Sequence, residues 1–206
     1  MALREEKKRA TRIALADTAM MLFAERGFDR VTVAEVARAA NVSVNTAFNY
    51  FPTKEDLFFD RQEEAVDRLA RAVREREVGE SPAAAIHRMF LDEVRREDPT
   101  LGLSTDAVHF WRMIDASPAL QARLRRIVEE SEDALTDALR ASMEATAEDP
   151  MPRLAAAVLT GIDRALHAEI RRGILAGEQP AVVRTRIVAA AARGFGAVTT
   201  GFTDQR

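Results

Sequence analysis

Three histidines, no cysteine and a cluster of hydroxyl and amide side chains near the N-terminus limit the chemistry open to this chain. Without Cys there is no disulfide framework, no thiolate nucleophile and no Cys-ligated zinc or iron–sulfur site. His87, His109 and His167 fall on different expected helices, and no HExxH pair, phosphate-cradling glycine loop or serine elbow occurs. No catalytic constellation is therefore expected, nor a cofactor or a metal. Asp163 and His167 are four apart, a spacing that suits a metal or, more simply, a helix-surface ion pair. What remains is recognition chemistry. Thr32, Ser43, Val44, Asn45, Thr46, Asn49, Tyr50 and Lys54 supply hydroxyls, amides, an ammonium and an apolar side chain within one short stretch. A second concentration, IHRMF (Ile86–Phe90) and VHFWRM (Val108–Met113), offers aromatic, Met and His side chains suited to an apolar ligand site.

The elements that must position these residues are helices. Apolar residues recur at three and four spacing nearly everywhere, and period-two runs of β-branched residues are missing. Stop and start signals at Gly27, Asn41, Pro52, Gly79 to Pro82, Pro99 with Gly102, Ser117-Pro118, Pro150 with Pro152, and Gly177 to Pro180 cut the chain into about nine helices. The first runs from about Glu6 to Arg26 and is closed by Gly27, with Phe28 folding back on its last turn. Thr32 and Glu35 form a capping box at the start of the second, which ends before Asn41, a residue tolerant of left-handed backbone. Ser43 caps the third, VNTAFNYF, which Pro52 stops; Phe48 and Phe51 are expected in the core against the first helix. The fourth is expected as one long helix from Lys54 to about Glu77.

Two short helices joined by a three-residue turn, with Ala37 and Ala40 where they cross, form a helix-turn-helix pattern. The stretch GFDRVTVAEVARAANVSVNTAFNYFPTKEDLF resembles the N-terminal domain of the TetR family of transcriptional regulators. The likeness is carried by Gly27-Phe28, Thr32-Val33, Val36-Ala37, Val42-Ser43, Thr46, Tyr50-Phe51-Pro52, Lys54-Glu55 and Leu57-Phe58, and it extends without a gap from about Thr11 to Phe59. It implies an all-α fold: a three-helix DNA-binding domain (residues 1–52), then a helical bundle for ligand binding and dimerisation (53–206). It also implies that the third helix reads the major groove through Ser43, Val44, Asn45, Thr46 and Asn49, with Thr32, Thr53, Tyr50 and Lys54 on phosphate. Relatives often carry Lys-Gly where this chain has Val44-Asn45, and Tyr where it has Phe48. A·T pairs are the expected contacts.

The sequence has 206 residues, Lys+Arg 30 against Asp+Glu 33, a net charge of −3, and 47% hydrophobic residues, a globular balance that excludes global disorder. Arg4, Lys7, Lys8, Arg9 and Arg12 against Glu5 and Glu6 leave a basic arm that could follow phosphate or simply be solvated. No segment approaches a membrane span and none has the form of a signal peptide, so a cytoplasmic protein is expected.

For the C-terminal part, the family resemblance implies an effector pocket, with Phe59, Gln62, Phe90, Phe110 and Trp111 as candidate lining. Arg112 could pair an acidic ligand. From about Pro99 to Leu139 the chain looks like the acyl-CoA or mycofactocin-type subgroup, implying a large, partly apolar or acyl-linked effector. Leu154, Val158, Ile162, Leu166 and Ile170 at four spacing, and the small-residue segment AVVRTRIVAAAARGFGAVTTGF, point to a four-helix homodimer interface built from the last two helices; the alternative is burial within one subunit. The expected function is a homodimeric, ligand-responsive repressor on a palindromic double-stranded operator, released by a small-molecule effector. Alternatives are a helical protein-binding module that does not touch DNA, or a TetR-like DNA binder without an effector.

Overall fold

The computed structural model describes residues 2–202, with side-chain surroundings for residues 5–198. Among the described residues it is all helical: α1 (Ala2–Arg26), α2 (Val33–Ala39), α3 (Val44–Tyr50), α4 (Lys54–Phe58), α5 (Gln62–Arg74), α6 (Pro82–Arg95), α7 (Ala107–Ala116), α8 (Pro118–Ser142), α9 (Met151–Leu175) and α10 (Pro180–Phe202), with 3-10 turns at Phe28–Arg30 and Pro99–Leu101. No described helix is long and apolar enough to cross a membrane. Two compact units form, one from residues 1–63 and 113–123, the other from residues 64–112 and 124–206.

The expected helix starting at Lys54 is two helices, not one. Phe59 (φ −100°, ψ 55°) leaves the helical region and α5 begins only at Gln62. Nothing in LFFDRQEE breaks a helix by propensity; the break is stabilised tertiarily. Asp56 turns back to cap Thr53, and Gln62 donates to the other oxygen of the same carboxylate at 2.9 Å. The Asp60 carbonyl, freed by the break, accepts from Arg12 at 2.7 Å.

The core of the first unit is aromatic. Phe23, Phe28 and Phe58 meet with ring centroids 5.0 to 6.2 Å apart, surrounded by Leu15, Ala19, Val36, Ala37, Ala47, Phe51 and Leu57, all buried. Gly27 takes φ 83° so that Phe28 can double back onto Phe23. The α7–α8 corner belongs to this unit: Ile114 and Leu120 are fully buried, and Arg123 reaches the Asp56 carboxylate at 3.2 Å. Ser117, which precedes α8, donates its hydroxyl to Asp29 at 3.1 Å.

In the second unit α10 packs on α9 and α6. Its core is Ile86, Phe90, Ile170, Ile174, Val183, Ile187 and Phe195. Glycine permits the approach of α9 and α10: a methyl at Gly173 would stand 2.7 Å from Val183, and one at Gly194 3.2 Å from Ile162. Gly173 and Gly194 thus pack against larger side chains of the facing helix within the chain.

Candidate nucleic-acid interface

The helix-turn-helix is held by reciprocal caps at each joint. Thr32 accepts from the Glu35 amide at 3.3 Å while Glu35 accepts from the Thr32 amide and hydroxyl, each at 2.8 Å. Arg26 pairs with Glu35 at 2.5 Å; this hydrogen bond, with those from Thr32, lowers the Glu35 carboxyl from 4.5 to about 2. At the turn Asn41 adopts left-handed backbone (φ 55°), and the Val42 amide bonds the Ala37 carbonyl at 2.9 Å. Ser43 then starts α3, accepting from the Thr46 amide at 3.0 Å, and its hydroxyl meets that of Thr46 at 2.7 Å. Ala37 and Ala47 are fully buried where the two helices pack.

The far end of α3 is fastened by α1. Arg12 donates to the carbonyls of Tyr50 (3.3 Å) and Asp60 (2.7 Å), and its guanidinium lies 4.6 Å from the Phe51 ring centre. Arg12 therefore belongs to the core of the domain and not to a basic arm; Lys7, Lys8 and Arg9 are exposed on α1, and the Arg4 side chain lies outside the described residues. At α4, Thr53 and Asp56 form a second capping box. Burial alone would raise the Asp56 carboxyl, but hydrogen bonds from Gln62 and Thr53 and the Arg123 charge hold it below its ordinary value.

This frame presents Ser43, Val44, Asn45 and Asn49 to solvent, with Thr46 and Tyr50 half-buried beside them and Thr32 exposed at the start of α2. Lys54 is half-buried: its ammonium donates to the Phe28 carbonyl at 3.0 Å and sits 4.2 Å from the centre of that ring. One expectation is overturned. Phe48 is not a core residue beside Phe51; it is 45% exposed while Phe51 is 1% exposed. With Ala47 as the inward position, each residue turns about 100°, which carries Phe48 off the packed face, a signal present in the sequence once Ala47 is recognised as the contact.

The candidate ligand residues fall into both units. Phe59 packs edge-on against Phe58 (4.9 Å), and Gln62 donates to Asp56 while accepting from Arg123 at 2.7 Å, in the first unit. In the second, buried Phe90 meets the His167 ring at 6.3 Å, and Phe110 packs edge-on against Trp111 at 5.2 Å. Gly102 (φ 63°) lies against the Trp111 indole, where a methyl would stand 2.7 Å from the ring, and the Arg171 guanidinium covers Trp111 at 5.4 Å. Arg112 is exposed. The ring nitrogen of Trp111, Nε2 of His87 and the Thr160 hydroxyl are buried without a hydrogen-bond partner. Asp163 and His167 are 3.5 Å apart but do not form a simple surface pair: Asp163 is mostly buried and takes two hydrogen bonds from Arg68, the shorter 2.6 Å. Arg68 also faces Glu93 at 3.5 Å, and burial pushes the Glu93 carboxyl above its ordinary value. Among the described residues no group of three metal-ligating side chains comes together. Phe48 and Arg12 stand in settings other than those their sequence positions suggest, and Arg68 and Glu93, beside Asp163, carry no sequence pattern that marks them.

Residues 15–60 match the family described as bacterial regulatory proteins, tetR family. The HTH-type transcriptional regulator TcmR of Streptomyces glaucescens is 29% identical over 171 residues, covering 81% of this chain and 76% of that protein. The HTH-type transcriptional regulator LuxR of Vibrio harveyi is 54% identical over 43 residues, 21% of each chain. Among solved structures, the fatty acid degradation regulator FadR of Bacillus halodurans superimposes with a TM-score of 0.54 at 16% identity, covering 89% of this chain and 97% of that one. NalD of Pseudomonas aeruginosa, the secondary repressor of the MexAB-OprM multidrug efflux pump, gives 0.53 at 19% identity, covering 90% and 96%.

Proposed function

For a chain that belongs, by its DNA-binding domain, to the tetR family of bacterial regulatory proteins, we propose a homodimeric transcriptional repressor that binds a palindromic operator and is released by a small-molecule effector. The observation that carries the DNA part is the exposed face of α3, Ser43 to Asn49, held by capped ends and a buried Ala47, on which Val44, Asn45 and Asn49 point to solvent. A rigid helix whose outward residues are amides and apolar side chains suits the edges of bases in the major groove. Residues 1–52 would serve DNA; residues 53–206 would bind the effector and a second copy.

The effector reading is supported by the orphaned polar atoms of Trp111 and His87 and by the desolvated Arg171 that lies over the Trp111 ring. Buried groups of this kind favour a ligand that satisfies them. The route to DNA we propose differs from a single tilting lever, since the helix after Lys54 is broken. It runs through the α7–α8 corner, whose Ser117 and Arg123 hold Asp29 and Asp56 in the DNA-binding unit while α7 and α8 continue into the other. An effector that shifts those helices trades ligand affinity against DNA affinity by linkage.

The test is fluorescence anisotropy of the full chain on DNA flanking its own reading frame and on scrambled DNA, over a salt series. Because Lys54 is engaged by Phe28, the control variant is Asn45→Ala with Asn49→Ala, both exposed. Tight binding of the flanking DNA by the wild type, lost in the variant, is the expected result. Equal weak binding of both DNAs by both proteins would remove the regulator reading in favour of a helical protein-binding module.

A further inference from the structure

The solvent face of α3 divides into two rows. Val44 and Phe48, four residues apart, are 40% and 45% exposed; Asn45 and Asn49, also four apart, are exposed beside them. The helix carries no charged side chain, since its sequence is VNTAFNY. That absence is informative. Guanine presents two acceptors to the major groove and is most often met by Arg or Lys, whereas adenine's donor and acceptor suit Asn, and thymine alone adds a methyl group that an apolar side chain can cover. An aromatic ring left half in water on a seven-residue helix has no packing role to explain it, because Ala47 makes the inward contact and Phe51 fills the core behind.

We infer that Val44 and Phe48 form an apolar reader of thymine 5-methyl groups, with Asn45 and Asn49 on neighbouring adenines, so that the operator half-site is selected by its methyls. This rests on the DNA-binding reading above. The spacing of each row, four residues at about 1.5 Å, is about 6 Å along the helix, close to two base-pair steps of roughly 3.4 Å. The half-site therefore places its two contacted thymines about two steps apart. Phe48 supplies the larger contact, as its ring offers a flat face where Val44 offers two methyl groups.

The experiment starts from a random duplex library, from which full-length protein selects its preferred half-site. Duplexes of that site are then made with uracil replacing thymine at single positions, which removes the methyl and leaves every hydrogen bond intact. Uracil at each of two positions is expected to weaken binding by about fourfold, the value of one buried methyl-sized group. Phe48→Ala and Val44→Ala, checked for helicity by circular dichroism, should each abolish the discrimination at one position, and Phe48→Leu should retain part of it. Wild-type protein that binds its selected site with no preference for thymine over uracil overturns the inference while leaving DNA binding intact. A library that returns no preferred sequence overturns the DNA-binding reading itself. Loss of self-association in Phe48→Ala, with no thymine preference in the wild type, reassigns the patch to a contact between copies.

Discussion

Glu35 joins two elements through one carboxylate: it closes the start of α2 on Thr32 and pairs with Arg26 at the end of α1. The hydrogen bonds from Arg26 and Thr32 lower its carboxyl from 4.5 to about 2, so the folded chain favours the ionised form more than the unfolded chain does. A carboxyl lowered by folding contributes stability that is complete above its ordinary value and fades as pH falls toward its folded one. Glu35→Gln keeps acceptors for the cap but not the charge. The melting temperature of the wild type should exceed that of Glu35→Gln above pH 4.5, and the gap should close as pH falls to about 2. Thermal melts of both proteins across that range check it, and a gap of constant size would mean that Glu35 carries no ionisation-linked stability. The same residue bears on DNA: a carboxylate at the start of α2 offsets the positive end of the helix dipole, so phosphate held near Thr32 would depend on hydroxyl and amide groups more than on charge.

At the scale of elements, Arg12 fastens the domain where helical hydrogen bonding runs out. It satisfies the Tyr50 carbonyl at the end of α3 and the Asp60 carbonyl in the α4–α5 break, with its guanidinium against Phe51. Removing it exposes two carbonyls without partners; hydrogen bonds from a charged donor are worth about 1.5–3 kcal/mol each. Arg12→Ala should therefore cost the first unit up to about 3–6 kcal/mol, read as faster amide exchange in α1, α3 and α4 with exchange in α9 unchanged. Equal exchange in both proteins would show that water replaces the guanidinium at no cost. Arg12 also marks what the sequence pattern could and could not reveal. Thr32 with Glu35, Asn41, Ser43 and Ser81-Pro82 announce their roles locally, since each acts on backbone within three or four residues, and the structure has the caps and the left-handed turn where these residues stand. Arg12 acts on residues 38 and 48 positions away, and the α4–α5 break depends on it and on Gln62 and Arg123. Such a break leaves no propensity signal. Phe48 was misread because spacing of three from Phe51 was taken as one face, although Phe51 lies beyond the helix end and follows a different backbone. The exposed amides of α3 were legible as a recognition face; the engagement of Lys54 by Phe28 was not.

For the whole molecule, the row Leu154, Val158, Ile162, Leu166, Ile170 shows why one helix can serve both a core and a partner. A four-residue step on a helix of 3.6 residues per turn advances about 40°, so the row winds through about 160° between its ends. Leu154 and Val158 are accordingly 54% and 43% exposed, whereas Leu166 and Ile170 are buried against the rest of the unit. Burial within the chain therefore leaves the N-terminal end of α9 exposed, where the proposed pairing with a second copy would fall. Leu154 and Val158, one turn apart and exposed, suit an isologous contact, in which each copy offers the same patch. Sedimentation of the wild type is expected at twice its 22.8 kDa mass. Leu154→Glu with Val158→Glu puts two like charges on each side of a twofold contact without touching the buried end of the helix, so the variant should sediment as a folded monomer. On a two-half-site duplex it should bind about 100-fold more weakly, because each half-site is then engaged without the effective concentration the second copy supplies. On a single half-site the two proteins should bind alike, which separates lost pairing from lost folding. A variant that stays dimeric would move the interface to another face, and the palindrome would then have to be matched to a different spacing of the two α3 helices.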